Sequence, residues 1–207
     1  MVDYANEEEQ IEAIKKWWNE KGKNLVLITI AAAAVLMAYK AWNSKKVAHA
    51  EDASTVYLKV QEQASNNHPV DELVKQLQAE YPKTTYAQLG SLVLGKQAVN
   101  NNKLDKAVTQ LTWAKDNGSD KSVRVVAALR AARVLFAQEK YDDVLKLVNK
   151  HKHGVYGAQF QELQGDVFVK QNKLKEAKEI YTKVSEQAQG DGSTFRLLEL
   201  KLNNITI

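Results

Sequence analysis

The longest departure from a mixed polar and apolar pattern is an uncharged run over residues 24–39, NLVLITIAAAAVLMAY. Sixteen residues rise about 24 Å as a helix, a little short of a bilayer's hydrocarbon core. Lys40 interrupts the run, but its ammonium can reach toward the headgroups while the stem stays in the apolar layer, extending the span to Trp42. Tyr39 and Trp42 then supply interfacial aromatic residues at one end, and Trp17 and Trp18 supply them at the other. The pattern predicts one transmembrane helix over residues 24–43. Charged flanks on both sides argue against a buried core helix. Ala48-His49-Ala50 resembles a signal-peptidase site, but the segment before it would be 50 residues long with an acidic start, unlike a cleaved leader. Ahead of the span, residues 1–23 read as an amphipathic tail with Ile11, Ile14, Trp17 and Trp18 at helical spacing.

Beyond residue 44 the apolar positions follow helical periods that repeat. NKLDKA at 102–107, EKYDDV at 139–144 and NKLKEA at 172–177 align, and each joins two amphipathic helical patterns. Twelve residues before the last position of each motif stands a small residue: Gly95, Ala132 and Gly165. Four residues after it stands a large one: Leu111, Val148 and Tyr181. The period of 33 to 37 residues and the paired small positions match the tetratricopeptide pattern, in which two helices touch where side chains are small. The repeats fall around 86–118, 121–151 and 155–188. A looser pair precedes them, with helices over 53–66 and 71–81, Asp71 as N-cap and Pro82 as stop. Residues 193–203, with Ser193 as N-cap, suit the capping helix that a solenoid needs over its last apolar face. Turns are expected at Asn117-Gly118 and Gly190-Asp191-Gly192. The expected fold is all-α: a cytoplasmic tail over 1–23, one membrane helix, and a tetratricopeptide-repeat-like solenoid over 44–207 with a C-terminal cap.

Composition narrows the chemistry. The 207 residues include 9 Gly, 2 Pro and no Cys, too few turn formers for an all-β sandwich and no thiol for zinc, iron–sulfur or nucleophilic chemistry. The 29 basic and 25 acidic residues are interspersed rather than gathered into a stripe, which disfavours nucleic acid as a ligand. His151 and His153 are two apart and diverge on a helix, so they make a poor metal pair; His49 and His68 stand alone. There is no HExxH, phosphate-binding glycine loop or G-x-S-x-G. Asp142 and Asp143 sit at a predicted helix start, where the helix dipole accounts for them. Asn204-Ile205-Thr206 is a sequon, a motif frequent by chance. The sequence thus predicts no enzyme, no cofactor and no metal.

A stack of helix pairs offers a concave surface lined by the first helix of each pair. The register places Leu92, Lys96 and Val99 there from the first repeat, Leu129, Arg133 and Phe136 from the second, and Glu162, Asp166 and Val169 from the third. Such a mixture suits an extended peptide or a partner helix. Packing between repeats demands the same apolar residues, so Leu92, Leu129 and Phe136 serve the core reading equally well. Only Lys96 and Arg133 are available for the converging cations of a carboxylate clamp, which disfavours one.

The layout resembles the YfgM family of Gram-negative bacteria. The likeness rests on the acidic start through KKWWNEKGK at 15–23, on Tyr39 and AWNS at 41–44, on the repeats, and on KLNNITI at 201–207. The resemblance implies a single-pass inner-membrane protein with a cytoplasmic N-terminus and a periplasmic repeat domain. It further implies an ancillary subunit of the SecYEG translocon, associated with the membrane-anchored periplasmic chaperone PpiD, with some members linked to an envelope-stress regulator. Flanking lysines lean the same way: Lys15, Lys16, Lys21 and Lys23 before the span outnumber Lys40, Lys45 and Lys46 after it. The leading expectation is a non-enzymatic, chaperone-like adaptor that holds partners and nascent periplasmic or outer-membrane clients. The alternative is a membrane-tethered scaffold that sequesters a stress-response regulator.

Overall fold

The computed structural model describes residues 4–187 and 192–205, and the regular structure of these residues is helical. The all-α expectation is met. The chain divides into two units, Met1–His49 and Ala50–Ile207.

In the first unit, α1 covers Tyr4–Trp17, a π-helical stretch covers Trp18–Gly22, and α2 begins at Lys23 and runs to Ser65. The amphipathic tail is therefore not one regular helix. The Trp18 ring lies against Gly22, where a Cβ would come within 2.9 Å of Cδ2, so this wide turn uses the missing side chain. Ile11, Ile14, Trp17 and Trp18 stay exposed. The apolar stretch predicted as the span lies within α2; among the described residues it makes this the one helix long and apolar enough to cross a membrane, and none of its most apolar window is buried. A helix apolar on every side and covered by nothing is stable only where lipid or another helix replaces water.

The second unit holds the end of α2, then α3 (Asp71–Glu80), α4 (Thr85–Asn100), α5 (Leu104–Asp116), α6 (Lys121–Ala137), α7 (Tyr141–His151), α8 (Gly157–Lys170), α9 (Leu174–Gln187) and α10 (Gly192–Asn203). The helix expected over 53–66 is the continuation of α2. Helix α3 stops at Glu80, two residues before Pro82, as its missing N–H requires. Asp71, expected to cap α3, is instead its first residue: Val70 holds the cap position without a side-chain bond, and the Asp71 carboxylate takes Lys106 of α5. Helix α10 starts at Gly192, so Ser193 lies inside it; the side chain of Ser193 and the turn at Gly190 and Asp191 lie outside the described residues.

The aligned motifs open on one backbone feature. Asn102, Glu139 and Asn172 have φ of 54°, 60° and 58°, and Asn67 of the preceding pair has 57°. At each, the preceding helix closes in a paired bond pattern: Asn102 N–H donates to Val99 and Lys103 N–H to Ala98, with the same offsets at 67–68, 139–140 and 172–173. This Schellman closure requires a left-handed residue, which Asn adopts at less cost than Glu. Glu139→Gly is therefore expected to raise stability by about 1 kcal/mol, read as a higher urea midpoint at unchanged slope. The same change at Asn172 should gain much less.

Packing between the two helices of a pair follows the small-over-large positions. A Cβ on Gly95 would lie 3.1 Å from Leu111 Cδ2, and one on Gly165 would meet the Tyr181 ring, so each glycine admits the large residue of the next helix. In the middle pair Ala132 and Val148 are both buried in one cluster. Each apolar cluster draws on neighbouring helices: α2 to α5, α4 to α7, α5 to α8, and α8 to α10 with Ile205 just beyond it. That nearest-neighbour arrangement defines a solenoid.

Candidate partner-binding surface

Helices α4, α6 and α8 touch in sequence, so the first helices of the three pairs form one layer. Along them the register yields three rows. In the first, Leu92 and Leu129 are 7% and 6% exposed and belong to the cores between pairs, while Glu162 stands at the equivalent place in α8. The two leucines are therefore occupied in packing. In the second row Lys96 and Arg133 are exposed, and Asp166 is half-buried. In the third, Val99 and Val169 are 40% and 38% exposed, and Phe136 is partly buried with its ring 5.8 Å from that of Tyr141.

Phe136, Asp166 and Val169 meet in one cleft of about 240 Å³, closed by Tyr181 of α9 and by Lys201 and Ile205 at the C-terminal end. At its base, Lys201 Nζ lies 2.6 Å from Glu162 Oε1 and 2.6 Å from Asp166 Oδ1. The Tyr181 hydroxyl donates to the same Asp166 oxygen at 2.5 Å, and Lys201 Nζ sits 5.6 Å from the Tyr181 ring centroid. Burial, then the bond to Asp166, pushes the Tyr181 phenol well above its usual range, so it stays a donor. Glu162 and Asp166 are thus both engaged by Lys201 of α10, one ammonium shared between two carboxylates. The pairing of two carboxylates four apart on α8 signals a basic partner; which lysine provides it depends on how α10 lies, which periodicity does not reveal.

A second groove, of about 330 Å³, lies between the end of α2 and α4 and is lined by Gln61, Ala64, Val93, Lys96 and Gln97. Lys96 therefore borders a groove on its own helix, one register step from Arg133. Arg130, one turn before Arg133, is exposed as well and was absent from the residues expected at this face. Elsewhere, His151 stacks on Phe160 at 5.0 Å, and burial lowers its pKa. Among the described residues no three His, Asp or Glu side chains gather in metal-binding geometry.

The sequence profile of a family described as a tetratricopeptide repeat-like domain matches residues 15–207. Curated relatives align from end to end. The ancillary SecYEG translocon subunit of Escherichia coli is 29% identical, with 100% of both chains covered. Proteins of the same name from Neisseria gonorrhoeae and Haemophilus influenzae are 26% and 27% identical, each over 99% of this chain and 100% of their own. No solved structure matches the chain. The resemblance read from the sequence is borne out by these relatives. With a matching profile over nearly its whole length and repeats that pack as helix pairs, the chain belongs to the tetratricopeptide repeat-like domain family.

Proposed function

We propose that this protein is a non-enzymatic, membrane-anchored ancillary subunit of the SecYEG translocon that binds partner proteins through the exposed face of α4, α6 and α8. The observation that carries the reading is full-length coverage: the relatives bearing that name align over the apolar helix and the repeats together. Supporting the reading, the fold has one exposed helix long and apolar enough to cross a membrane, followed by a stack of helix pairs. On this reading the N-terminus is cytoplasmic, the repeat domain is periplasmic, and the membrane-anchored chaperone PpiD and emerging chains are its company there. An exposed, all-round apolar helix supports anchoring, and the lysine count before the span supports the orientation.

Protease added to spheroplasts is expected to digest the repeat domain, and a photo-crosslinker at Phe136 to capture translocon or periplasmic partners. Digestion only in inverted vesicles, with crosslinks to cytoplasmic proteins, would sink this reading in favour of a scaffold that sequesters a stress-response regulator.

A further inference from the structure

The charges on the α4–α6–α8 layer are sorted by whether they have partners. Asp166 and Glu162, the acids of the layer named above, are both held by Lys201. Lys96, Arg130 and Arg133 are exposed, and none makes an ion pair or side-chain hydrogen bond among the described residues. Some cations of the unit do find acids, as Lys106 with Asp71, Lys140 with Asp105 and Lys146 with Asp143. Lys170 at the end of α8 is exposed without one among the described residues. What sets Lys96, Arg130 and Arg133 apart is their grouping beside apolar surface. Three cations without an acidic partner therefore share the middle of a layer whose two carboxylates are both drawn to Lys201 at its far end, and apolar surface adjoins them at Val99, Phe136 and Val169.

Deepening the reading above and resting on it for the identity of the binding face, we propose that the layer recognises an acidic peptide segment with an apolar anchor. Its carboxylates lie on Lys96 and on Arg133 with Arg130, and its apolar side chain enters the Phe136–Val169 cleft. Equivalent positions do share a surface here, since Phe136 and Val169 line one cleft, and Lys96 and Arg133 stand one turn before Val99 and Phe136. Adjacent helices in contact are spaced about 8–10 Å apart, and a segment in the polyproline II form advances about 3.1 Å per residue and brings every third side chain to one face. The matching segment therefore has two acids three residues apart, followed three residues on by an apolar side chain. Unpaired cations repel a basic segment, so the layer discriminates by charge before packing begins.

The test uses the full chain in nanodiscs of zwitterionic lipid. Three fluorescein-labelled peptides of the form X-Ser-Ser-X-Ser-Ser-Leu, with X as Glu, Gln or Lys, are titrated by anisotropy at low salt. The Glu peptide is expected to bind at least tenfold more tightly than the Gln peptide, and to lose most of that preference at 0.5 M salt. Lys96→Glu with Arg133→Glu is expected to remove the preference while leaving the circular dichroism melt unchanged. Equal binding of the Glu and Gln peptides, tighter binding of the Lys peptide, or no binding of any would overturn the proposal. Should the double variant fail to fold, Lys96→Gln with Arg133→Gln decides instead, and an undiminished preference there overturns it too. Co-purification with the translocon is scored separately, so loss of peptide preference with co-purification intact rejects this inference alone. Peptide preference without co-purification rejects the translocon assignment alone.

Discussion

Gly165→Ala is expected to destabilise the repeat unit by about 3 kcal/mol, the upper end of what overpacking costs, or roughly 6–12 °C in Tm for a chain of this length. The reason lies in what cannot move. A Cβ at Gly165 would stand 2.7 Å from Tyr181 Cδ1 and 2.8 Å from Cζ, and nearer still to Cε1. Tyr181 is 2% exposed, and its hydroxyl is tied to Asp166 while Lys201 lies over its ring. The ring can leave this position only by giving up the Asp166 bond and the contact with Lys201, or by letting α8 and α9 separate. Tyr181→Leu in the same background should restore part of the loss, because Leu111 already packs on Gly95 at the equivalent place. Gly95→Ala should cost far less, close to nothing, since its contacts with Leu111 are 3.1 Å and alanine's better helix propensity offsets a small shift of that side chain. Chemical unfolding followed by helical circular dichroism ranks the three variants. A Gly165→Ala protein as stable as the parent would show that the two helices are not clamped by this residue.

That glycine was legible in the sequence, and so was much of what sets the stack. Gly95, Gly165, Leu111 and Tyr181 stand out because the same spacing occurs three times, and a constraint repeated in register is visible without coordinates. The positions that were not legible break the repetition. Asn67 adopts the same left-handed turn as Asn102, but α3 starts two residues later after its turn than α5 does, so the spacing no longer aligns. Asp71 has the chemistry of a cap, yet a tertiary partner, Lys106, claims its carboxylate. At the candidate face, the rows through Lys96, Arg133 and Asp166 followed from the register. Which of these charges is free did not, because Lys201 arrives from α10, 35 residues beyond Asp166. Helical periodicity reports which side of a helix is apolar; it carries no information on long-range ion pairs. Leu92 and Leu129 show the same limit from the other side, since a core leucine and a ligand-contacting leucine occupy identical positions in the pattern.

Gln88→Ala is the second large effect expected, a loss of about 4 kcal/mol, at a residue whose type gave no warning. Gln88 is fully buried in α4. Its amide nitrogen donates to the carbonyls of Ala114 and Asp120, each at 3.2 Å, and its oxygen accepts the Asp120 N–H at 3.0 Å. One side chain thus bonds three backbone groups, one in the last turn of α5 and two at the residue that opens α6. Gly118 lies so close that a Cβ there would overlap Gln88 Cδ and Cγ, which makes Gly118 the second half of the same device. The consequence travels to α6 through Asp120, whose side chain caps that helix by accepting from Ser122 N–H at 2.8 Å and Val123 N–H at 3.2 Å. Truncation to alanine strands the Asp120 N–H and the Ala114 carbonyl, while the Asp120 carbonyl keeps the Arg124 N–H, and it leaves a void. Gln88→Leu refills most of the volume but still strands the polar groups, so it should recover only the cavity part. Gly118→Ala should reproduce the loss from the opposite side. Hydrogen exchange separates a local from a global effect: in Gln88→Ala the amides of 117–124 should lose protection before those of α8. Because Arg130 and Arg133 ride on α6, peptide binding at that layer should weaken in step with the fraying. Full protection of 117–124 in the variant would mean that the Asp120 cap holds α6 without Gln88, and that the buried amide is a filler rather than a clamp.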